Sequence, residues 1–151
     1  MEPQSIDFSG KHKTHISIRF PDIDAMGHAN NAKHITYLEE ARIQYFEDVL
    51  GGNIEWKKEG IILARIEYNF VNPIYLRDNL NIYTWCAKIG NKSFHLHHRV
   101  IKQNIDGTET IIGEAQTVLV CYDYQKEKSI EVPQVWIDKI SQFEGSSLLL
   151  H

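Results

Sequence analysis

Asp22, Asp24, Gly27, His28, Asn30 and Asn31 fall within the ten residues DIDAMGHANN (22–31), directly before a run that reads as helix. Carboxylates and an imidazole can take a proton or attack a carbonyl carbon. The first N–H groups of a helix have no intrahelical partners and sit at the positive end of its dipole, so they can polarise a carbonyl oxygen. A carboxylate beside such donors is the arrangement that acyl-transfer chemistry needs, and Gly27 would let the backbone turn sharply between the two. The same residue types also suit an ordinary turn and cap, because Asp and Asn side chains bond their own backbone. Spacing alone leaves both readings open.

The elements that must position these residues are visible in the pattern around them. THISIRF, Thr14 to Phe20, places Ile16, Ile18 and Phe20 on one side and His15, Ser17 and Arg19 on the other. That alternation predicts a strand with one wet face, stopped by Pro21. The period then changes. Ile35, Leu38, Ala41, Tyr45 and Val49 form a helical stripe that Tyr37, Phe46 and Leu50 widen. Asn30 or Asn31 is expected to cap this helix and Gly51-Gly52 to end it. A helix with so broad an apolar face needs to be wrapped.

Strands supply the wrapping. GIILARIEYNFVNPIY is an extended run interrupted at Asn72-Pro73, and LNIYTWCAKIG alternates Leu80, Ile82, Thr84 and Cys86 against Tyr83 and Trp85. A turn at Gly90-Asn91 leads to SFHLHHRVI, and the hairpin signal Asp106-Gly107 leads to TETIIGEAQTVLVCYDY. Pro133 opens a short helix from Gln134 to Phe143. Strand, long helix, four strands joined largely by tight turns: the chain reads as α+β, an antiparallel sheet with one dominant helix. A sheet curled over one helix leaves open edges, which self-association would cover. Residues 1–12 read as a polar lead-in, 13–144 as a single domain and 145–151 as a tail.

The 151 residues suit one domain with a real core, and 42% hydrophobic and 24% charged residues are ordinary for a globular protein. A net charge of −4 argues against a general nucleic-acid binder. Cys86 and Cys121 form no CxxC pair and read as buried thiols in a reducing compartment. The N-terminal stretch has no apolar signal-peptide core, and no apolar run is long enough to span a bilayer. A cytoplasmic protein that does not engage membranes is expected. His95 and His97 share one strand face while His98 points to the other, so no metal site is expected.

Taken with Tyr37-Leu38-Glu39-Glu40-Ala41-Arg42, the 22–31 stretch resembles the acyl-CoA thioesterases of the hotdog fold. It is most like the long-chain acyl-CoA and acyl-carrier-protein members of the 4-hydroxybenzoyl-CoA thioesterase superfamily that carry a GHxNN-type motif. Tyr68-Asn69-Phe70-Val71-Asn72-Pro73-Ile74, Arg77-Asp78-Asn79-Leu80, Gly90-Asn91-Lys92-Ser93-Phe94 and Gly113-Glu114-Ala115-Gln116-Thr117 continue the likeness in order.

The resemblance implies a curved antiparallel sheet around one long helix, and a homodimer or homotetramer with active sites between subunits. It implies hydrolysis of an acyl-CoA to acid and thiol, with coenzyme A entering only as part of the substrate and no other cofactor. Asp24 then matches the catalytic carboxylate, as general base or nucleophile, and Asn31 the helix N-terminal donor. His28 either takes part directly or fixes the loop. Gly27, Asn30, Lys92 and Ser93 match substrate and coenzyme A contacts. Glu39 and Glu40 lie where another hotdog lineage keeps a glutamate base, although pairing of Glu39 with Arg42 is the simpler reading. Tyr45, Phe46, Ile61 and Ile62 suggest an apolar acyl tunnel for a medium or long chain. The alternatives are an acyl carrier protein thioester as substrate, or a module that binds thioesters without cleaving them.

Overall fold

The computed structural model describes residues 12–145. Of the lead-in 1–12 and the tail 145–151 expected from sequence, residues 1–11 and 146–151 lie outside the described residues, while His12 begins the first strand and Gly145 caps the last helix. Strand β1 (His12–Ile16) is followed by a 3-10 turn (Phe20–Asp22) and the helix α1 (Asn31–Leu50). Strands β2 (Gly60–Phe70), β3 (Asn79–Ile89), β4 (Ser93–Gln103), β5 (Glu109–Asp123) and β6 (Lys128–Ser129) come next, then helix α2 (Gln134–Glu144). The sheet runs β1-β3-β4-β5-β2 with every pair antiparallel, and the short β6 adds to β5.

The helix begins and ends as its sequence dictates. Asn30 is the N-cap, its side-chain oxygen accepting from the Ala32 N–H at 2.9 Å, and Gly51 closes the last turn at φ 82°. Along the strands, Leu80, Ile82, Thr84 and Cys86 point inward, and so do Phe94, Leu96, His98 and Val100. Their side chains meet Tyr37, Leu38, Ala41, Tyr45 and Phe46 of α1. Asp106-Gly107 makes the tight β4–β5 turn, with Gly107 at φ 87°. No helix among the described residues is long and apolar enough to cross a membrane.

Two expectations are corrected. The first strand stops at Ile16, whose partner Leu80 stands near the start of β3, so the ladder has nothing further to pair with. Phe20 turns into the 3-10 segment and is 79% exposed instead of joining the core. Arg42 and Glu39 form no ion pair of contact length. Arg42 is only 7% exposed and its Nη1 has no hydrogen-bond partner among the described residues, while Glu39 stays in solvent.

Arg42 belongs to a polar layer between two apolar clusters. There His98 spans the Thr84 hydroxyl (Nδ1, 3.1 Å) and the Thr117 hydroxyl (Nε2, 3.0 Å). Burial, and then the Arg42 charge, push the His98 pKa down to about 3. His34 at the start of α1 is pushed down to about 4, chiefly by burial. Both rings are held neutral in the folded state, whereas the unfolded chain takes up protons near 6.5. Stability from these groups is therefore complete above about pH 6.5 and is lost as pH falls toward 4. Unfolding free energies from denaturant titrations should fall as the pH is lowered across that window, at a slope of up to about 1.4 kcal/mol per pH unit for each histidine.

Candidate active site

The loop that carries the candidate residues is a small hairpin fastened to the start of α1. Ile23 bridges Ala29, the Asp24 N–H donates to the His28 carbonyl at 3.1 Å, and Gly27 closes the turn at φ 89°. A Cβ at Gly27 would meet nothing within 4 Å, so the glycine is needed for its backbone angle and not for space. The Ala29 N–H reaches the Ile74 carbonyl at 2.8 Å, which ties the hairpin to the segment after β2.

The two aspartates of the D-x-D element have different duties. Asp22 is buried, accepting from the Tyr37 hydroxyl (2.7 Å) and the Arg19 N–H (3.1 Å) with Lys33 at 3.5 Å. Burial works against its charge, but the hydrogen bonds and Lys33 outweigh it and hold the carboxyl below its usual range. Such a group adds stability above the unfolded value of 3.8, lost as pH falls through the depressed folded value. Asp22→Ala, which leaves the Tyr37 hydroxyl without an acceptor, should cost about 1–3 kcal/mol in chemical denaturation.

Asp24 is half-buried at the tip. Its Oδ1 accepts from the Met26 N–H at 2.8 Å, while Oδ2 has no partner among the described residues.

Behind the loop lies a cleft of about 190 Å³ lined by His28, Asn31, His34, Phe70, Asn72 and Pro73. Asn31 is the first residue of α1, and its N–H has no partner among the described residues; Ala32 and Lys33 are both satisfied by Asn30. The His28 ring stands edge-on to the Tyr75 ring at 6.4 Å and makes no hydrogen bond among the described residues. His28 and Asn31 thus share the cleft, Asp24 sits on the loop beside it, and Gly27 and Asn30 shape that loop and the cap.

Lys92 and Ser93 lie elsewhere. Lys92 ends the β3–β4 turn and Ser93 begins β4, where it pairs with Val120, whereas the cleft adjoins β5 at Ile112. Eight residues of strand put these points about 26 Å apart within one chain.

Sequence reasoning missed His34. It reads as one polar position in an apolar helix, but it is buried, bonds the Tyr68 hydroxyl through Nδ1 at 2.7 Å and lines the cleft. The only signal was its spacing, one turn after Asn31.

The residues expected to line an acyl tunnel divide. Phe46 and Ile61 line a groove of about 490 Å³ beside α1, shared with the apolar Ile43, Trp56, Leu63 and Leu119 and with the charged Glu39, Arg42 and Glu47. Tyr45 is fully buried core, its hydroxyl donating to Glu144 at 2.7 Å, and Ile62 is not part of the groove lining. Cys86 and Cys121 are buried free thiols, pushed up to about 12 by desolvation. Among the described residues no three His, Cys, Asp or Glu side chains gather to hold a metal ion.

Known proteins are similar to this chain over most of its length. The thioesterase-like superfamily matches residues 18–140. YsmA of Bacillus subtilis, an uncharacterised protein, is 29% identical over 136 residues, spanning 90% of this chain and 83% of its own. FadM of Escherichia coli, a long-chain acyl-CoA thioesterase, is 26% identical over 133 residues, 86% of this chain and 97% of its own. A thioesterase from Thermus thermophilus, crystallised with coenzyme A and zinc, superposes with a TM-score of 0.76 at 28% identity, covering 91% of this chain and 96% of that one. A match that runs from just past β1 into α2 takes in the hairpin, the residues of the cleft and strands β2 to β6, and on that ground the chain belongs to the thioesterase-like superfamily and has its hotdog fold.

Proposed function

We propose that the protein hydrolyses acyl-CoA thioesters at the junction of the Asp24 loop and the α1 N-terminus. The observation that supports this reading is that Asn31, whose N–H has no partner among the described residues, lines one cleft with His28, and that Asp24, on the same loop as His28, has an oxygen without a partner among the described residues. Asp24 Oδ2 takes a proton from water as the water oxygen bonds to the carbonyl carbon. The carbonyl oxygen becomes an oxyanion held by the Asn31 N–H. Collapse breaks the C–S bond, and the thiolate recovers the proton from Asp24, leaving free acid and coenzyme A. Attack by the Asp24 carboxylate itself, through an anhydride that water opens, uses the same residues. His28 borders the reacting atoms, and its place in the cleft suits orienting the water.

A homodimer completes the site in this reading. β2 is an edge strand of eleven residues with Leu63, Phe70 and the following Val71 exposed. Such an edge invites a second strand. A two-fold axis pairing β2 with its copy runs the strands antiparallel, so the Phe70 end of one chain meets the Gly60 end of the other. The Lys92–Ser93 turn adjoins that Gly60 end, because Ser93 and Ile62 both pair with Val120. Lys92 and Ser93 would then reach coenzyme A phosphates bound at the second copy's cleft. Light scattering at micromolar concentration should give the mass of a dimer or a dimer of dimers, and a monomer would remove this shared site.

The groove along α1 favours a medium or long acyl chain. Thiol release from a graded series of acyl-CoAs, beside matched acyl carrier protein thioesters, tests both preferences. The expected result is a kcat/KM that rises with chain length and is higher for the coenzyme A thioester. A preference for the carrier protein would reassign the carrier.

A further inference from the structure

His34 is the one histidine of α1, and the hydrolysis scheme leaves it without a task. It is 2% exposed, yet it lines the cleft beside Asn31 and His28. Its ring is fixed: Nδ1 lies 2.7 Å from the Tyr68 hydroxyl, and the rings of Tyr68 and Phe70 stand edge-on at 5.3 and 5.0 Å. The Tyr68 hydroxyl has no other hydrogen-bond partner among the described residues, and of the two tautomers this contact admits, the one in which the hydroxyl donates and Nδ1 accepts also gives the hydroxyl proton an acceptor. An imidazole that accepts at Nδ1 carries its own proton on Nε2. Nε2 has no partner among the described residues.

His34 shares the cleft with Asn31, the first residue of the helix. Positions 31 and 34 are i and i+3 on one face, and helical side chains lean toward the N-terminus. Other side-chain donors in the cleft are few. No lysine or arginine lines it, and the Asn72 amide is committed to the Ile111 carbonyl at 2.7 Å. Burial and the nearby His28 bring the His34 pKa down to about 4, so the ring donates as a neutral imidazole at neutral pH and brings no full charge into the site.

We propose that the His34 Nε2–H is a second hydrogen-bond donor to the thioester carbonyl oxygen, acting beside the Asn31 backbone N–H, and that Tyr68 is the positioning residue that selects this tautomer. The proposal rests on the thioesterase reading above. Donation requires no proton transfer. The N–H bond stays intact while negative charge grows on the oxygen during water attack and falls as the C–S bond breaks. β5 leaves room for the positioning group: a Cβ at Gly113 would run into the Tyr68 ring and hydroxyl, so a bare glycine lets Tyr68 reach His34.

The test combines steady-state thiol release from a long-chain acyl-CoA with nitrogen NMR of the histidine rings in the unsubstituted protein. His34→Phe should lower kcat by about 10²–10³-fold, the usual loss for one oxyanion donor, with little change in KM. His34→Gln offers an amide N–H in place of the imidazole and should recover part of that loss. Tyr68→Phe should give a smaller fall in kcat and a mixture of His34 tautomers. In the unsubstituted protein the His34 ring should show a protonated Nε2 and a bare Nδ1, with no second proton until the pH nears 4.

A His34→Phe variant that keeps kcat within about threefold in an active background overturns this proposal alone, as does a proton found on Nδ1. Absence of turnover by the unsubstituted protein on every thioester overturns the thioesterase reading with it. Should His34→Phe lose its thermal unfolding transition, His34→Gln and the tautomer measurement decide the matter.

Discussion

Replacing Asp24 with asparagine is expected to lower kcat for acyl-CoA hydrolysis by about 10²–10⁴-fold, the range a positioned general base supplies. The substitution is nearly isosteric, and the amide oxygen can still accept from the Met26 N–H that holds Oδ1 at 2.8 Å. The loop therefore keeps its shape and KM should move little. What disappears is the second oxygen, which in Asp24 has no partner among the described residues and in asparagine becomes an NH₂ group that cannot take a proton from water. Because Asp24 is only half-buried, thermal stability should be unchanged, unlike in Asp22→Ala. A variant that retains the kcat of the unsubstituted protein would show that Asp24 is not the reacting carboxylate.

Leu38→Ala should destabilise the protein by about 2–5 kcal/mol, the cost of a lost buried side chain and the cavity it leaves. Leu38 is fully buried on the inner face of α1, packed within the cluster of Tyr37, Ala41, Leu80, Ile82 and Val100. The helix and sheet close on each other through this cluster, and α1 in turn carries Asn31 and His34. Thr36→Ala on the outer face provides the contrast. Thr36 is exposed and its hydroxyl merely returns to the Ala32 carbonyl at 3.2 Å, so its loss should change stability by no more than about 0.5 kcal/mol. Denaturant midpoints compared at one protein concentration check both, since a dimer's stability depends on concentration.

Much of this fold is legible in the sequence because its signals are local. The stripe from Ile35 to Leu50, capped by Asn30 and ended by Gly51, is a helix by periodicity. The alternation through Leu80, Ile82 and Thr84 gives a strand with its faces correctly assigned. Asp106-Gly107 marks its hairpin by a backbone angle that glycine adopts without strain. Phe20 fails for a non-local reason: alternation continues past Ile16, but β3 supplies no further partner, and a strand without a neighbour does not persist.

The site divides in the same way. Residue types and spacing single out the 22–31 loop, yet they do not separate Asp22 from Asp24. In the structure Asp22 is claimed by Tyr37, fifteen residues on, while Asp24 keeps one oxygen without a partner among the described residues. His34 owes its place to Tyr68, thirty-four residues away, and to the bare backbone of Gly113 across the strand pair. Arg42 suggests a surface ion pair by its i, i+3 spacing from Glu39. The rotation of α1 instead buries it near His98. Each of these depends on which helix face meets the sheet, a fact that belongs to the assembled chain.

The most direct measurement of the central claim follows thiol release and ligand binding together, with the unsubstituted protein and one long-chain acyl-CoA. Hydrolysis at the α1 N-terminus predicts saturable thiol release with free acid formed in equal amount, at turnover far above the rate in buffer. Saturable binding of the acyl-CoA with no thiol released would contradict it and leave a module that holds thioesters without cleaving them.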